Sequence, residues 1–176
     1  MADDLALITK AVDFAADKHR GQSRKDAANT PYINHPISLA RLLTNDGGIT
    51  DTNVIAAALL HDTVEDTDAT VEDIGEIFGK EIRDIVMEVT DDKSLPSPER
   101  KRLQIEHASK ISHEAKLVKI ADKICNLQDI TISPPVKWSL DRKREYFDWA
   151  KEVIDELRGT NEKLERVFDE VYSKKP

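Results

Sequence analysis

The chain has 176 residues, with 26 Lys plus Arg against 34 Asp plus Glu, a formal net charge of −8 and 39% hydrophobic side chains. That is one domain's worth of sequence, able to bury roughly 68 to 70% of its unfolded surface, which excludes two large domains, a disordered chain and a disulfide-stapled miniature. The acidic balance gives no general field for nucleic acid or an anionic membrane surface, and the single cysteine, Cys125, allows no internal disulfide.

No run approaches 18 apolar residues, and the acidic start Met1-Ala2-Asp3-Asp4 lacks a basic leader region. The chain therefore reads as cytosolic or nuclear, and a cytoplasmic location is expected. Apolar residues recur at spacings of three and four, which predicts helices throughout and no strand. Leu5, Ile8, Val12, Ala15 and Ala16 form the inner stripe of a first helix that Gly21 stops. A polar loop from Gln22 to Asn34 follows. Pro36 suits the first turn of a second helix, ended by Asn45-Asp46-Gly47-Gly48.

Thr50 or Asp51 caps a third helix through Val54 to Leu60, apolar on every side and hence central, which runs into His61-Asp62. Thr70 caps a short helix closed by Gly79, and Ile82, Ile85, Val86 and Val89 mark the next. Ser97-Pro98-Glu99 opens a sixth in the order cap, N1 proline, acid. Leu117, Ile120, Ala121, Ile124 and Leu127 line a seventh, broken by Pro134-Pro135. Ser139 starts a long eighth helix to about Arg158, with Tyr146, Trp149, Val153 and Leu157 on one side, and Gly159-Thr160 separates a last one bearing Leu164, Val167, Phe168 and Val171. The expected fold is all-α, a bundle of about nine helices in a single domain spanning 1–176.

Chemistry concentrates at His35, His61, Asp62 and Asp122. Ionisable groups at the end of the most buried helix are costly unless compensated, and two imidazoles with two carboxylates suit a hard or borderline divalent ion such as Mn²⁺ or Fe²⁺. Each residue also has a plain reading, Asp122 as half of a surface pair with Lys123. Lys119, Asp122 and Asn126 at i, i+3 and i+7 share one helix face that could meet a liganded phosphate. If the third helix continues, Glu65 stacks one turn from His61 and Asp66 one turn from Asp62, where a carboxylate beside a metal-bound water could move a proton; the alternative is a solvated acidic turn. Arg20, Arg24 and Lys25 make a basic cluster suited to phosphate oxygens. Arg100-Lys101-Arg102 and Lys174-Lys175 read as solvated, His19, His107 and His113 as structural or exposed, and Cys125 as an unreactive buried thiol.

His35, the doublet His61-Asp62 and Asp122 together resemble the HD-domain phosphohydrolases. Arg24-Lys25, Thr30-Pro31-Tyr32-Ile33-Asn34-His35-Pro36, the run from Ala58 to Thr67 and Lys119-Ile120-Ala121-Asp122-Lys123 resemble the hydrolase domain of the RelA/SpoT family, and the tail from Trp138 to Asn161 its stand-alone metazoan members. The resemblance implies an HD-domain bundle and removal of the 3′-pyrophosphate from guanosine tetraphosphate. It implies one Mn²⁺ held by His35, His61, Asp62 and Asp122, with Glu65 and Asp66 as catalytic acids. It further implies Arg24 near the pyrophosphate or those acids, and Lys25, Asn126 and Tyr146 near the nucleotide. Metazoan members imply a second activity, NADPH 2′-phosphatase, at the same metal site. Many bacterial members carry Arg-Leu-His-Asn after the aspartate, where this chain has Lys123-Ile124-Cys125-Asn126, and 176 residues leave no room for their synthetase region. The non-enzymatic alternative is a helical interaction module whose His/Asp cluster is structural.

Overall fold

Helical periodicity is realised along the whole chain: the computed structural model describes residues 2–176, and among these the only β pairing is an isolated antiparallel bridge between Ser23 and Pro31. The helices are α1 (Ala2–Lys18), α2 (Asn34–Arg41), α3 (Thr52–Leu60), the single turn α4 (Thr63–Asp66), α5 (Val71–Phe78), α6 (Lys80–Val89), α7 (Ser97–Ala108), α8 (His113–Ile132), α9 (Leu140–Asp155) and α10 (Glu162–Tyr172), with a π-helical turn over Leu42–Asp46. Nine of these match the nine expected; α4 is the addition. No helix among the described residues is long and apolar enough to cross a membrane.

Local chemistry sets the boundaries. Asp51 accepts the Asn53 N–H at the start of α3, Ser112 the Ala115 N–H at α8 and Ser139 the Arg142 N–H at α9, while Thr70 and Asp73 form a reciprocal capping box at α5. Gly79 joins α5 to α6 with φ +90° and ψ 169°, a region that only glycine visits readily. Gly47 ends the π turn where an added Cβ would lie 2.7 Å from the Leu43 carbonyl and 3.0 Å from Leu164, so its bare backbone lets α10 close in.

The layers are ordered by how apolar each helix is. Ala56, Ala57, Ala58 and Leu60 of α3 have no exposure, and α1, α2, α6 and α8 pack around it. A helix apolar on all sides has no solvent face to offer, so it becomes the centre. α10 packs on the other side of α8 through Leu164 and Phe168. Two expected stripes are realised in part. On α1 Ala15 is buried and Ile8 and Val12 pack against the core as expected, but Ala11 joins that face and Leu5 is 70% exposed. On α9 the core face is Phe147, Ala150, Val153 and Ile154; Tyr146 and Trp149 are only partly buried and look into a cleft.

The main departure lies after α3. The helix does not run on into the acids: it stops at Leu60, His61 and Asp62 form a turn, and α4 restarts at Thr63, whose hydroxyl donates to the Leu60 carbonyl. Glu65 and Asp66 are thus carried on a separate helical turn rather than stacked along α3.

Candidate metal centre and active-site cleft

Three elements meet at one point. His35 enters from the first turn of α2, held by the Tyr32 carbonyl, which accepts the His35 N–H. His61 and Asp62 come from the α3–α4 break, and Asp122 from the middle of α8. His35 Nε2 lies 3.2 Å from Asp122 Oδ1 and 3.9 Å from Asp62 Oδ2. His61 Nε2 lies 3.0 Å from Asp62 Oδ2 and 3.8 Å from Asp122 Oδ1. One ligand atom each from His35, His61 and Asp62 falls within 4.8 Å of the others, and both imidazoles are buried.

The protonation pattern is legible from the partners. His61 Nδ1 sits 2.8 Å from the Ala58 carbonyl, which only accepts, so Nδ1 carries the hydrogen and the neutral ring presents a lone pair at Nε2. That Nε2 is buried without a hydrogen-bond partner. A lone pair facing two carboxylates is repulsive unless positive charge lies between them. Without a cation a proton supplies it. Burial opposes the charge on His61, yet Asp62, with Asp122 behind it, raises its pKa to about 9. Burial likewise works against the Asp62 and Asp122 carboxylates, but His61 beside the first and Lys123 beside the second, with both histidines, hold them well below the usual range. Burial keeps His35 neutral by lowering its pKa, against the pull of Asp122. Two neutral-capable imidazoles and two ionised carboxylates converging on an orphaned nitrogen fit one divalent cation, with the Ala58 carbonyl fixing the His61 ring.

The oxygens that face the imidazoles are themselves held by the protein, and Lys123 takes the second oxygen of Asp122. Tyr32 donates its hydroxyl to Asp62 Oδ2 at 2.6 Å and stands 3.2 Å from Asp66 Oδ2. Asn126 Nδ2 donates to Asp122 Oδ1 at 2.6 Å, and Lys123 Nζ to Asp122 Oδ2 at 3.0 Å. Asp122 and Lys123 do pair, but the lysine is 3% exposed and its ammonium lies 4.4 Å from the Trp149 ring, so this is an interior pair rather than a surface one.

The acids face this point across the floor of a cleft of about 900 Å³. Glu65 Oε2 accepts the Asp91 N–H at 3.0 Å, with Lys93 at 3.6 Å and Arg100 at 3.7 Å from Oε1. Burial, followed by the neighbouring carboxylates, pushes the Glu65 pKa up against that backbone hydrogen bond, a proton-holding tendency that suits acid–base work. Asp66 pairs with Lys93. On the opposite wall Arg24 donates to Asp129 at 2.6 Å and to Asn126 Oδ1 at 2.9 Å, and Lys25 lines the mouth. Arg20 is not part of this wall: it is exposed and bonds Asp17. Lys119 is 7% exposed; its Nζ donates to the Val89 carbonyl at 3.1 Å, and burial with Lys123 nearby lowers its pKa to about 8. Tyr146 stands between Trp138 and Trp149, at 5.4 and 5.1 Å between ring centres, giving the cleft an aromatic side.

All eleven residues singled out from sequence as ligands, acids or substrate contacts therefore line one cleft. Tyr32, Lys93, Arg100, Gln104, Trp138 and Trp149 line it too, without having been assigned a role there. Arg100 is not a solvated face, and Lys101 lies 5.0 Å from the Trp149 ring. The available signal was α7 itself: among its residues only Ala108 is fully buried, and a polar helix on a compact domain needs another reason to dock. His19 is structural, buried and stacked at 4.6 Å on Tyr32. Cys125 is 2% exposed, with burial raising its thiol pKa to about 12, so it is unreactive.

A family model for the HD domain matches residues 11–147. A guanosine-3′,5′-bis(diphosphate) 3′-pyrophosphohydrolase MESH1 of Xenopus tropicalis is 58% identical over 172 residues, covering 98% of this chain and 96% of its own. The Homo sapiens protein of that name is 53% identical over 175 residues, covering 99% and 98%. A solved structure described as a metazoan ortholog of SpoT that hydrolyzes ppGpp superposes with a TM-score of 0.93 at 51% identity, over 96% of this chain and 95% of that one.

Proposed function

The chain belongs to the HD-domain family of metal-dependent phosphohydrolases, and from that premise we propose that it is a Mn²⁺-dependent guanosine-3′,5′-bis(diphosphate) 3′-pyrophosphohydrolase. The observation that carries the proposal is the convergence of four ligand-type side chains on the orphaned His61 Nε2, opposite the two acids of α4. His35, His61, Asp62 and Asp122 would hold the cation. When bound, a divalent ion lowers the pKa of water and neutralises phosphate charge.

The chain's own groups do the rest. Glu65 and Asp66 take the proton from the attacking water. Attack at the phosphorus bonded to the 3′ oxygen breaks that P–O bond, releases pyrophosphate and leaves a 3′ hydroxyl that gains a proton. Arg24, Lys25 and Lys119 offer positive charge to the phosphate oxygens. The Trp138–Tyr146–Trp149 side gives a purine a face to stack on.

The test uses protein stripped of metal, incubated with guanosine tetraphosphate with and without Mn²⁺, with products separated by chromatography and NADPH run in parallel. GDP plus pyrophosphate appearing only with Mn²⁺ is the expected result. Phosphate released from NADPH with no turnover of guanosine tetraphosphate would replace the substrate by the 2′-phosphate alternative. Equilibrium dialysis showing no stoichiometric Mn²⁺ at neutral pH would leave a non-catalytic helical module.

A further inference from the structure

Glu65 rides on a helical turn of only four residues, Thr63–Asp66, too short to fix a three-torsion side chain by itself. The hydrogen bond that reaches its carboxylate comes from the backbone N–H of Asp91, 3.0 Å from Oε2. Asp91 lies in the connection between α6 and α7, so that peptide needs an anchor of its own. Gln104 on α7 provides one, with its Nε2 2.9 and 2.8 Å from the two Asp91 carboxylate oxygens.

The geometry of α7 shows which contact sets the orientation. Gln104 Oε1 and Arg100 Nε, one helical turn apart, are both buried without a hydrogen-bond partner. An unpaired buried polar group is costly, so the Gln104 amide is placed by Asp91 and not by its own satisfaction. Packing does not account for it either: Gln104 and Arg100 stand between the cleft and a second cavity of about 200 Å³, bordering open space on both sides. Arg100 Nη1 meanwhile faces Glu65 Oε1 at 3.7 Å.

We propose that Gln104 and Arg100 are positioning residues of α7 that aim the Glu65 carboxylate, Gln104 through the Asp91 peptide and Arg100 directly. The inference rests on Glu65 acting on the attacking water. The experiment compares wild type, Gln104→Leu, Glu65→Gln and the double variant as full-length protein, with kinetics on the Mn²⁺-loaded form and amide exchange read by NMR on the form loaded with diamagnetic Mg²⁺. In Gln104→Leu, kcat falls by about tenfold while KM stays within about twofold, and in the Glu65→Gln background the same change has no further effect. The Asp91 amide exchanges at least about tenfold faster in Gln104→Leu, because the peptide that it belongs to has lost its anchor. Unchanged kcat, a loss that multiplies with that of Glu65→Gln, or wild-type exchange at Asp91 overturns the proposal. Should wild type itself fail to hydrolyse guanosine tetraphosphate, the functional reading fails, and the Asp91 exchange alone decides the positioning network.

Discussion

Asp122 divides its carboxylate between two tasks: Oδ1 faces both imidazoles and accepts from Asn126, while Oδ2 is neutralised by the buried ammonium of Lys123. Removing a ligand from such a centre leaves buried charge unpaired. His61→Ala or Asp62→Ala is therefore expected to abolish turnover and stoichiometric Mn²⁺ binding while far-ultraviolet circular dichroism still reports the bundle. Glu65→Ala, outside the ligand set, should keep the metal in equilibrium dialysis and lose at least about 10²-fold in kcat, the range for a proton-transfer group. Lys119 allows a pH prediction with a definite sign. Its folded pKa of about 8 lies below its unfolded value, so between about pH 8 and 10.5 the unfolded chain binds more protons and folding gains stability as pH rises. Urea midpoints of wild type relative to Lys119→Met should rise across that window; a constant difference would mean that the lysine is not held in its depressed state.

At the scale of elements, the decisive feature is the break between α3 and α4. An uninterrupted helix would hang the acids along the axis of α3; the turn at His61-Asp62 instead brings two ligand-type side chains to the centre and carries Glu65 and Asp66 into the same cleft as Asp122 of α8. Nothing in the apolar run Val54–Leu60 announces that stop, because Thr63-Val64-Glu65-Asp66 is itself compatible with helix. The corner at Gly79 shows the opposite case, in which one residue specifies the turn. Gly79→Ala should cost about 1–3 kcal/mol, read as a lower urea midpoint, since the added Cβ meets no neighbour within 4 Å and the whole cost is the backbone at φ +90°. α7 is the element whose purpose its sequence hid: it packs on α9, with Ile105 against the core and the Lys101 carbonyl accepting from Trp149, and so sets Arg100 and Gln104 over the Glu65–Asp91 contact.

For the whole molecule, a centre assembled from α2, the α3–α4 turn and α8 couples metal binding to folding. A cation that binds the folded chain stabilises it by about 2.7 kcal/mol at a hundred times its dissociation constant, which for a domain of this size raises Tm by about 5–10 °C. Adding Mn²⁺ to stripped protein should give that upward shift and a chelator should reverse it, whereas His61→Ala should show neither. The same assembly brings Arg24, Lys25, Lys93, Arg100, Lys119 and Lys123 from separate stretches of sequence into a cleft that also holds seven carboxylates, so in a chain of net charge −8 a phosphorylated substrate depends on a bound cation as well as on these side chains.

Sequence by itself determined what is local or periodic. The spacing of apolar residues set nine helices, Asp51, Thr70, Ser112 and Ser139 set where several of them start, and the all-round apolar run of α3 set the centre of the bundle. Residue chemistry, with the motif resemblance, also picked out the eleven residues that prove to share the cleft. Tertiary structure decided what depends on partners far along the chain. It set Tyr146 and Trp149 at the edge of the core, where they also line the cleft, withdrew Arg20 from the basic wall, placed the Asp122–Lys123 pair inside, and set Tyr32, Arg100 and Gln104 as supports of the site. The physical reason is range. Periodicity and capping act within one or two turns of helix, whereas burial, desolvation and side-chain hydrogen bonds are fixed only when segments tens of residues apart come into contact.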